Sequence, residues 1–464
     1  MVEASFPNPN QPVYMRKPVM RLLLIALLAE LGYAVMNIST MPVYLKEDRN
    51  FGTSTIGLVF AAFLLSEAAF KSPMGHLADR YGPKRLMMFG PAISVFTALI
   101  SLVVPHRDAS TMEVLTFIGL RALDGVGAAM LWPATFAAVN EVVSDEDRQQ
   151  AMSLLNLCYL LGIAIAFEFG GIANDLTHTK FAGLVLAAAC FLGVSLSVLR
   201  LLPDVRPAER IGNEHDASLA DFVKSLKQIP QFLILAVITF AGIGFPITIF
   251  KIFPADQFGF SETQIGSLIC PGAIIMGIAS IPMGRFADKI GRIRAVHLGL
   301  LLCAAGMAVI GAGAFAARPE LRILRSPWLF CLGGIPVGIG FLLAIPAWMA
   351  SVSDIDPEKR GSNLGAVMTA QGIGAIIGAP IGAMMYEKLQ PVGVQLHLGA
   401  SFGRYSPFLG CAICAGIGWA LSVKILRAPS DQGPGALAAT TPSIADQIDE
   451  IEPGSMESAS LGPL

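Results

Sequence analysis

PMGHLADRYGPKR, the stretch from Pro73 to Arg85, decides the fold of this chain. An apolar segment, IGLVFAAFLLSEAAFKS, runs up to it, and another, LMMFGPAISVFTALISLVV, follows directly. Such a layout describes a short cationic turn between two membrane-length helices. Gly75 and Gly82 permit close approach and positive φ, Pro83 ends local helix, and Asp79 stands among Arg80, Lys84 and Arg85. The pattern returns at Pro282 to Arg294 as PMGRFADKIGRIR, where Gly284, Asp288 and Gly291 match Gly75, Asp79 and Gly82 at one constant offset. Charged loop residues repeated in register make this a membrane chain of two similar halves.

The composition points the same way. Of 464 residues, 54% are hydrophobic and 14% charged, against roughly 25% charged in soluble proteins. The net charge of -2 is uninformative about partners, because charge here is distributed by membrane side. Nothing suggests nucleic-acid binding. The seven Cys are scattered, several (Cys158, Cys190, Cys270, Cys303) inside apolar runs, where they serve as small hydrophobes. Neither metal-ligand spacing, nor a nucleophile–base set, nor a P-loop GxxxxGK[ST] is legible, so an enzyme and an ATP-driven pump are both disfavoured. No cofactor and no metal are expected.

A spanning helix needs about 20 mostly apolar residues. Twelve runs qualify: 19–44, 54–76, 84–105, 112–141, 150–173, 181–202, 230–254, 262–284, 293–317, 326–352, 362–386 and 405–427. The expected organisation is a cytoplasmic N-terminal segment (1–18), a six-helix bundle (19–202), a polar connector (203–229), a second six-helix bundle (230–427) and a disordered acidic tail (428–464). The N-terminus shows no cleavable signal, and the first apolar run is expected to be retained. Most of the 32 Lys and Arg fall on one side if both termini are cytoplasmic, although Arg318, Arg322 and Arg325 run against this bias. The expected location is the cell membrane (plasma or bacterial inner membrane), multi-pass, as a monomer.

These residues resemble the major facilitator superfamily, and the resemblance covers about 16–427. GHLADRYGPKR is similar to that family's motif between helices two and three, and GRFADKIGRIR to its second copy between helices eight and nine. RALDGVGAA (Arg121 to Ala129) resembles the helix-four motif, with Asp124 where many members have Gln. SDEDR (Ser144 to Arg148) and DPEKR (Asp356 to Arg360) look like the loops after helices four and ten. STMPVYL and SPMG (Ser72 to Gly75) are most like the twelve-helix drug:proton antiporters. The helix-five region, LLGIAIAFEFGGIANDL, departs from the antiporter pattern: it keeps Gly170 and Gly171 but lacks the proline.

The resemblance implies an all-α major facilitator fold, with two pseudo-symmetric six-helix bundles and a central site between them. It also implies gating by Asp79 with Arg80 and Arg85, the Asp79 carboxylate meeting the N-terminus of helix eleven, and by Asp288 with Arg292 in the second copy.

Charges inside the apolar runs mark the candidate site, because a charge at mid-bilayer costs at least ~3 kcal/mol on insertion scales. Glu30 lies in helix one, Glu67 and Lys71 four apart in helix two, Arg121 and Asp124 three apart in helix four, and Glu168 in helix five. The second half has little comparable; Lys251, near a helix end, is expected to snorkel to the surface. Glu30, Arg121 and Asp124 are the candidates for proton coupling. An Arg approaching or leaving a desolvated carboxylate changes its proton affinity, which is the chemistry coupling needs. Each charge also has a purely structural reading, Arg121–Asp124 and Glu67–Lys71 as local pairs and Glu30 as a satisfied interhelical bond. Glu67, Asn37, Tyr33, Glu168 and Gln371 are the candidates for substrate contact. Asn156 and the aromatics Tyr33, Phe136, Tyr159, Phe245 and Trp348 suit either a cavity or ordinary packing.

The expected function is secondary active transport of a small organic molecule by alternating access, coupled to protons and directed to efflux. The alternatives are a proton symporter or facilitator importing a nutrient such as a sugar or organic acid, and a non-transporting membrane receptor or scaffold.

Overall fold

A computed structural model describes residues 12–107, 109–202, 230–316, 319–353 and 360–426, without the side chains of Asp79 and Asp288. Most of the N-terminal segment, the connector 203–229 and the tail 428–464 lie outside the described residues. Every regular element among those described is helical, and twelve helices are long and apolar enough to cross a membrane.

The first helix, α1 (Lys17–Ala34), is carried on by a wider π turn (Val35–Thr40) and a last short helix (Met41–Glu47). Then follow α2 (Thr53–Tyr81), α3 (Pro83–Val103), α4 (Thr111–Val142), α5 (Asp145–Thr177) and α6 (Ala182–Leu201). The second half comprises α7 (Pro230–Ile247), a short helix (Ile252–Phe258), α8 (Glu262–Ile290), α9 (Arg292–Gly311), α10 (Pro327–Ser353), α11 (Arg360–Gln395) and α12 (Ser401–Ile425).

The stretch 73–85 differs from the loop its sequence suggests. Helix α2 continues through Pro73 to Tyr81, and the turn is the single residue Gly82, at φ 87°. Pro83 does not end a helix; it starts α3, at a first-turn position where a missing N–H leaves no bond unmade. The second copy is built alike: α8 ends at Ile290, Gly291 turns at φ 93° and Arg292 opens α9. A positive φ without steric penalty is what glycine supplies, so each copy joins two long helices through one residue.

Helix packing repeats with a shift of six. Helix α1 lies against α5 and α6, α2 against α4, and α3 against α4 and α6. Correspondingly α7 lies against α11 and α12, α8 against α10, and α9 against α10 and α12. The halves meet through α5 with α8 and, equivalently, α11 with α2. Close approach repeats as well. A Cβ on Gly90 would lie 2.5 Å from the Gly127 carbonyl oxygen, and one on Gly299, its counterpart, 2.6 Å from that of Gly340. Small residues set the helix spacing in both halves. Large apolar side chains cover the outside, Phe96 at 65% and Ile275 at 65% exposure, as a lipid-facing surface requires.

The buried core is not split evenly. One apolar cluster fills the first half and crosses into the second at Ile249, Phe253, Phe330, Tyr405 and Phe408. A separate cluster around Leu300, Leu343, Trp348 and Val367 belongs to the second half alone. The crossing lies at the far end, opposite the near end that carries the Gly82 and Gly291 turns.

Candidate functional site

In the first half, the residue spacing on α4 brings a cation and an anion together in the dry core. Arg121 is 1% exposed and Asp124 is fully buried; their side chains pair at 2.7 Å. Arg121 also donates to the Asn37 Oδ1 and lies over the Phe63 ring, 5.0 Å from its centroid. Asn37 sits in the π turn of α1 and donates its own Nδ2 to the Tyr33 carbonyl at 3.0 Å. Thr97 of α3 donates to Asp124 Oδ1 at 3.3 Å. Helices α1, α2, α3 and α4 thus all contribute to one ionic centre. One buried donor there, Arg121 Nη1, has no hydrogen-bond partner.

One turn before Tyr33 on α1 stands Glu30, 5% exposed and without a hydrogen bond or ion pair among the described residues. Gly162 of α5 makes room for it: a Cβ there would lie 2.7 Å from the Glu30 Cβ. Glu67 is within electrostatic range of Glu30 and pairs with Lys71 at 2.7 Å, as their shared helix face allows. Tyr159 of α5 feels both Glu30 and Glu67, and its ring meets Trp132 of α4 edge-on at 5.4 Å. Trp132 in turn stacks toward Phe136 at 6.2 Å. Two carboxylates therefore stand beside an aromatic wall, in which Tyr159 and Phe136 are partly exposed.

Tyr33 and Asn37 occupy closed positions. The Tyr33 ring packs between Phe63 and Phe191 and its hydroxyl meets Ser94 Oγ at 3.1 Å. Both residues shape the ionic centre from within the bundle. Gln371 lies in the second half, its Nε2 3.8 Å from Met349 Sδ. Phe245 and Trp348 are core residues, and Asn156 is exposed. Among the gating candidates, Arg80 and Arg85 are exposed at the near end, Arg80 over the Tyr81 ring at 5.4 Å, and Arg292 is half-buried. The Asp79 and Asp288 side chains lie outside what the structure describes.

The far end holds a cluster that the sequence reading missed. Lys251 does not snorkel; it is 1% exposed, bonded to Ser39 Oγ of α1 at 2.8 Å and to Glu262 of α8 at 3.1 Å. Ser39 of the first half and Glu262 hold the ammonium inside the protein, where it has acceptors that a surface position would exchange for water. Glu262 also accepts from Asn174 at 3.0 Å and Lys180 at 3.3 Å. Asp175 accepts from the Thr263 N–H at 2.8 Å, Glu387 from the Ser54 N–H at 2.8 Å, and Lys46 pairs with Asp256. Glu168 Oε1 accepts from Ser267 at 3.0 Å, while its Oε2 is buried without a partner. All of these bonds except Lys251–Glu262, which lies within the second half, join the two halves. No local spacing signals them, because the partners stand tens to hundreds of residues apart in the chain.

The Major Facilitator Superfamily family model matches this chain twice, over residues 22–251 and 232–446. Among curated proteins, "Multidrug resistance protein 2" of Bacillus subtilis (strain 168) is 25% identical over 383 residues, covering 81% of this chain and 89% of that protein. "Quinolone resistance protein NorA" of Staphylococcus aureus (strain Mu50 / ATCC 700699) is 22% identical, covering 78% and 89%. In fold, the chain is similar to a bacterial homolog of the human lysosomal transporter Spinster, with TM-score 0.69 at 14% identity, covering 87% of this chain and 95% of that one. The nucleoside transporter NupG gives TM-score 0.69 at 13% identity, covering 88% and 100%. Matched along both halves, and with the packing repeat that such a match requires, the chain belongs to the Major Facilitator Superfamily and is a multi-pass membrane transporter, not an enzyme.

Proposed function

We propose that this protein exports a small organic molecule in exchange for protons, by alternating exposure of a site between its two halves. The observation that carries the reading is a carboxylate and a guanidinium in the first half that each lack a partner they could take from the other. Glu30 makes no hydrogen bond or ion pair among the described residues, and Arg121 holds a buried donor, Nη1, without a partner. Such groups are costly to leave unmade, so a movement that brings them together stabilises the ionised carboxylate, and separation favours its protonated form. Glu30 binds and releases the proton, Arg121 is the moving counter-charge, and Asp124 holds Arg121 in place in the resting arrangement. The multidrug and quinolone resistance proteins to which the chain is similar support export of drug-like compounds. Glu67 and Glu168 and the partly exposed rings of Tyr159 and Phe136 are the proposed substrate contacts; Tyr33, Asn37 and Gln371 support the wall behind them.

Basic residues concentrate at the near end, which supports a cytoplasmic position for that end and both termini, with the cell membrane as the location. The bonded far end then faces outward and is closed. Asp79 with Arg80 and Arg85, and Asp288 with Arg292, close the near end in the opposite state. One chain supplies every group in this scheme, so the monomer is the working unit.

The test is flux in proteoliposomes under an imposed pH gradient, with lipophilic cations, sugars and organic acids offered in turn. The expected result is movement of a drug-like class against its gradient while protons flow down theirs, abolished by Glu30→Gln. Import of a sugar or organic acid together with protons contradicts the export reading. Flux that ignores the gradient and survives the substitution contradicts proton coupling.

A further inference from the structure

The ionic centre and the far-end bonds touch the same six residues. The π turn Val35–Thr40 carries Asn37, which accepts from Arg121 inside the first half, and two residues later Ser39, which accepts from Lys251 of the second half at 2.8 Å. From the shared turn we infer that Lys251, Ser39 and Asn37 form a relay: the turn reports the arrangement of the Arg121–Asp124 pair to the contact between the halves. This deepens the transport reading above and rests on it.

Three observations support a relay over a coincidence of neighbours. First, a π turn accommodates one more residue than the α-helix around it, and such turns recur at functional sites because they can shift register without unfolding the helix. Asn37 and Ser39 share the turn, so neither can move alone. Second, the turn is tightly held on its other side. A Cβ on Gly170 would run into Ser39 Oγ, and one on Gly183 into Thr40 Oγ1. Glycine at both positions lets α5 and α6 press directly on the turn, so displacement along the helix is easier than displacement away from it. Third, the Lys251 side chain is fully enclosed and its only described partners are Ser39 and Glu262. When Ser39 moves, a buried ammonium loses one of two acceptors, and this penalty acts on the contact between halves. Glu262 transmits the change onward, because it also binds Asn174 and Lys180 of the first half.

Asn37 makes no hydrogen bond to the second half among the described residues, its bonds going to Tyr33 and Arg121, which makes it the discriminating position. Hydrogen–deuterium exchange, read by mass spectrometry on the full-length purified protein, follows the amides of residues 168–177 and 262–268 at the far end. Lys251→Met and Ser39→Ala are expected to speed exchange there by about tenfold, the scale of one hydrogen bond to a charged group. Asn37→Ala is expected to speed the same peptides to a similar degree, and Asn37→Ala with Ser39→Ala to exceed neither single change, as coupled positions do. Asn37→Asp keeps an acceptor for Arg121 and is expected to restore slow exchange. Peptides of α9 and α10 report whether each variant is folded and should match wild type.

Far-end exchange unchanged in Asn37→Ala, or effects of Asn37→Ala and Ser39→Ala that simply add, overturns the relay. Unchanged exchange in Lys251→Met overturns the contact on which it depends. If wild type moves no compound in liposomes while the exchange pattern is as expected, the relay stands and the transport reading falls.

Discussion

Arg121 brings its guanidinium into a region from which water is excluded, and three kinds of neighbour receive it: the Asn37 side-chain oxygen, the Asp124 carboxylate and the Phe63 ring. Removing one member of a buried pair strands the other charge, which costs about 3–5 kcal/mol, whereas replacing both with apolar groups of similar volume is far milder. Arg121→Ala and Asp124→Ala are therefore each expected to lower the thermal unfolding midpoint in detergent more than the double change Arg121→Met with Asp124→Leu. Equal losses in all three contradict the assigned pairing. Lys at 121 should not substitute, since one ammonium lacks the planar fork and the ring stacking. At Gly162 the neighbour is Glu30 itself. Gly162→Ala is expected to displace that carboxylate and slow gradient-driven flux, while Gly277→Ala, whose Cβ would sit an ordinary 3.7 Å from Leu157 Cδ1, leaves flux near wild type. The spacing of Arg121 and Asp124, and of Glu67 and Lys71, is visible in sequence because i,i+3 and i,i+4 positions share a helix face. Asn37, Thr97 and Ser39 are harder to place in these roles: each is an unremarkable polar residue whose partner comes from another helix. Lys251 is misleading for the same reason, since a charge near the end of an apolar run looks terminal until its partners on other helices are known.

At the scale of elements, α2 with α11 and α5 with α8 are the seams on which any rocking must occur. Gly57 is part of the first seam, where a Cβ would lie 2.6 Å from that of Ala383. Gly57→Val is expected to part the halves at the far end, read as faster exchange in the first turn of α2; unchanged exchange contradicts a closed seam there. A different tie holds the start of α1. Arg16, buried, donates to Asp147 before α5 enters the membrane span, at 2.7 Å, and this bond holds the Asp147 carboxyl below its ordinary range. A depressed carboxylate contributes its stabilisation fully above the unfolded value, about pH 4, and loses it as pH falls through the folded value. Asp147→Asn at neutral pH should reproduce the release that wild type shows only in acid. Cleavage of residues 12–21 by trypsin at neutral pH and by pepsin in acid measures it; protection in the variant equal to wild type contradicts the tie. The twelve helices were legible from hydropathy, and the repeated motif gave their grouping. Helix ends were less so. The single-residue turns at Gly82 and Gly291 let α2 and α8 run further than the polar character of their last residues suggests, and the π turn in α1 has no signature in an apolar run.

For the whole molecule, the packing that repeats with a shift of six explains why two seams, and not one, join the halves: each is the symmetry counterpart of the other. The symmetry does not extend to charge. The ionic centre belongs to the first half, and among the described residues the apolar core of the second half around Trp348 has no equivalent of Arg121 and Asp124. In the proposed cycle one half supplies the titrating groups and the other the wall against which they move, with Lys251 and Glu262 of the second half holding the first at the far end. That asymmetry makes proton and substrate linkage the central claim, and it is tested most directly by measuring proton release from purified protein in weakly buffered detergent. A compound shown to move in liposomes is added, to wild type and to Glu30→Gln. The account predicts that wild type releases protons on binding the compound and that Glu30→Gln binds it with no release. Equal release from both proteins, or none from wild type, contradicts Glu30 as the exchanging group.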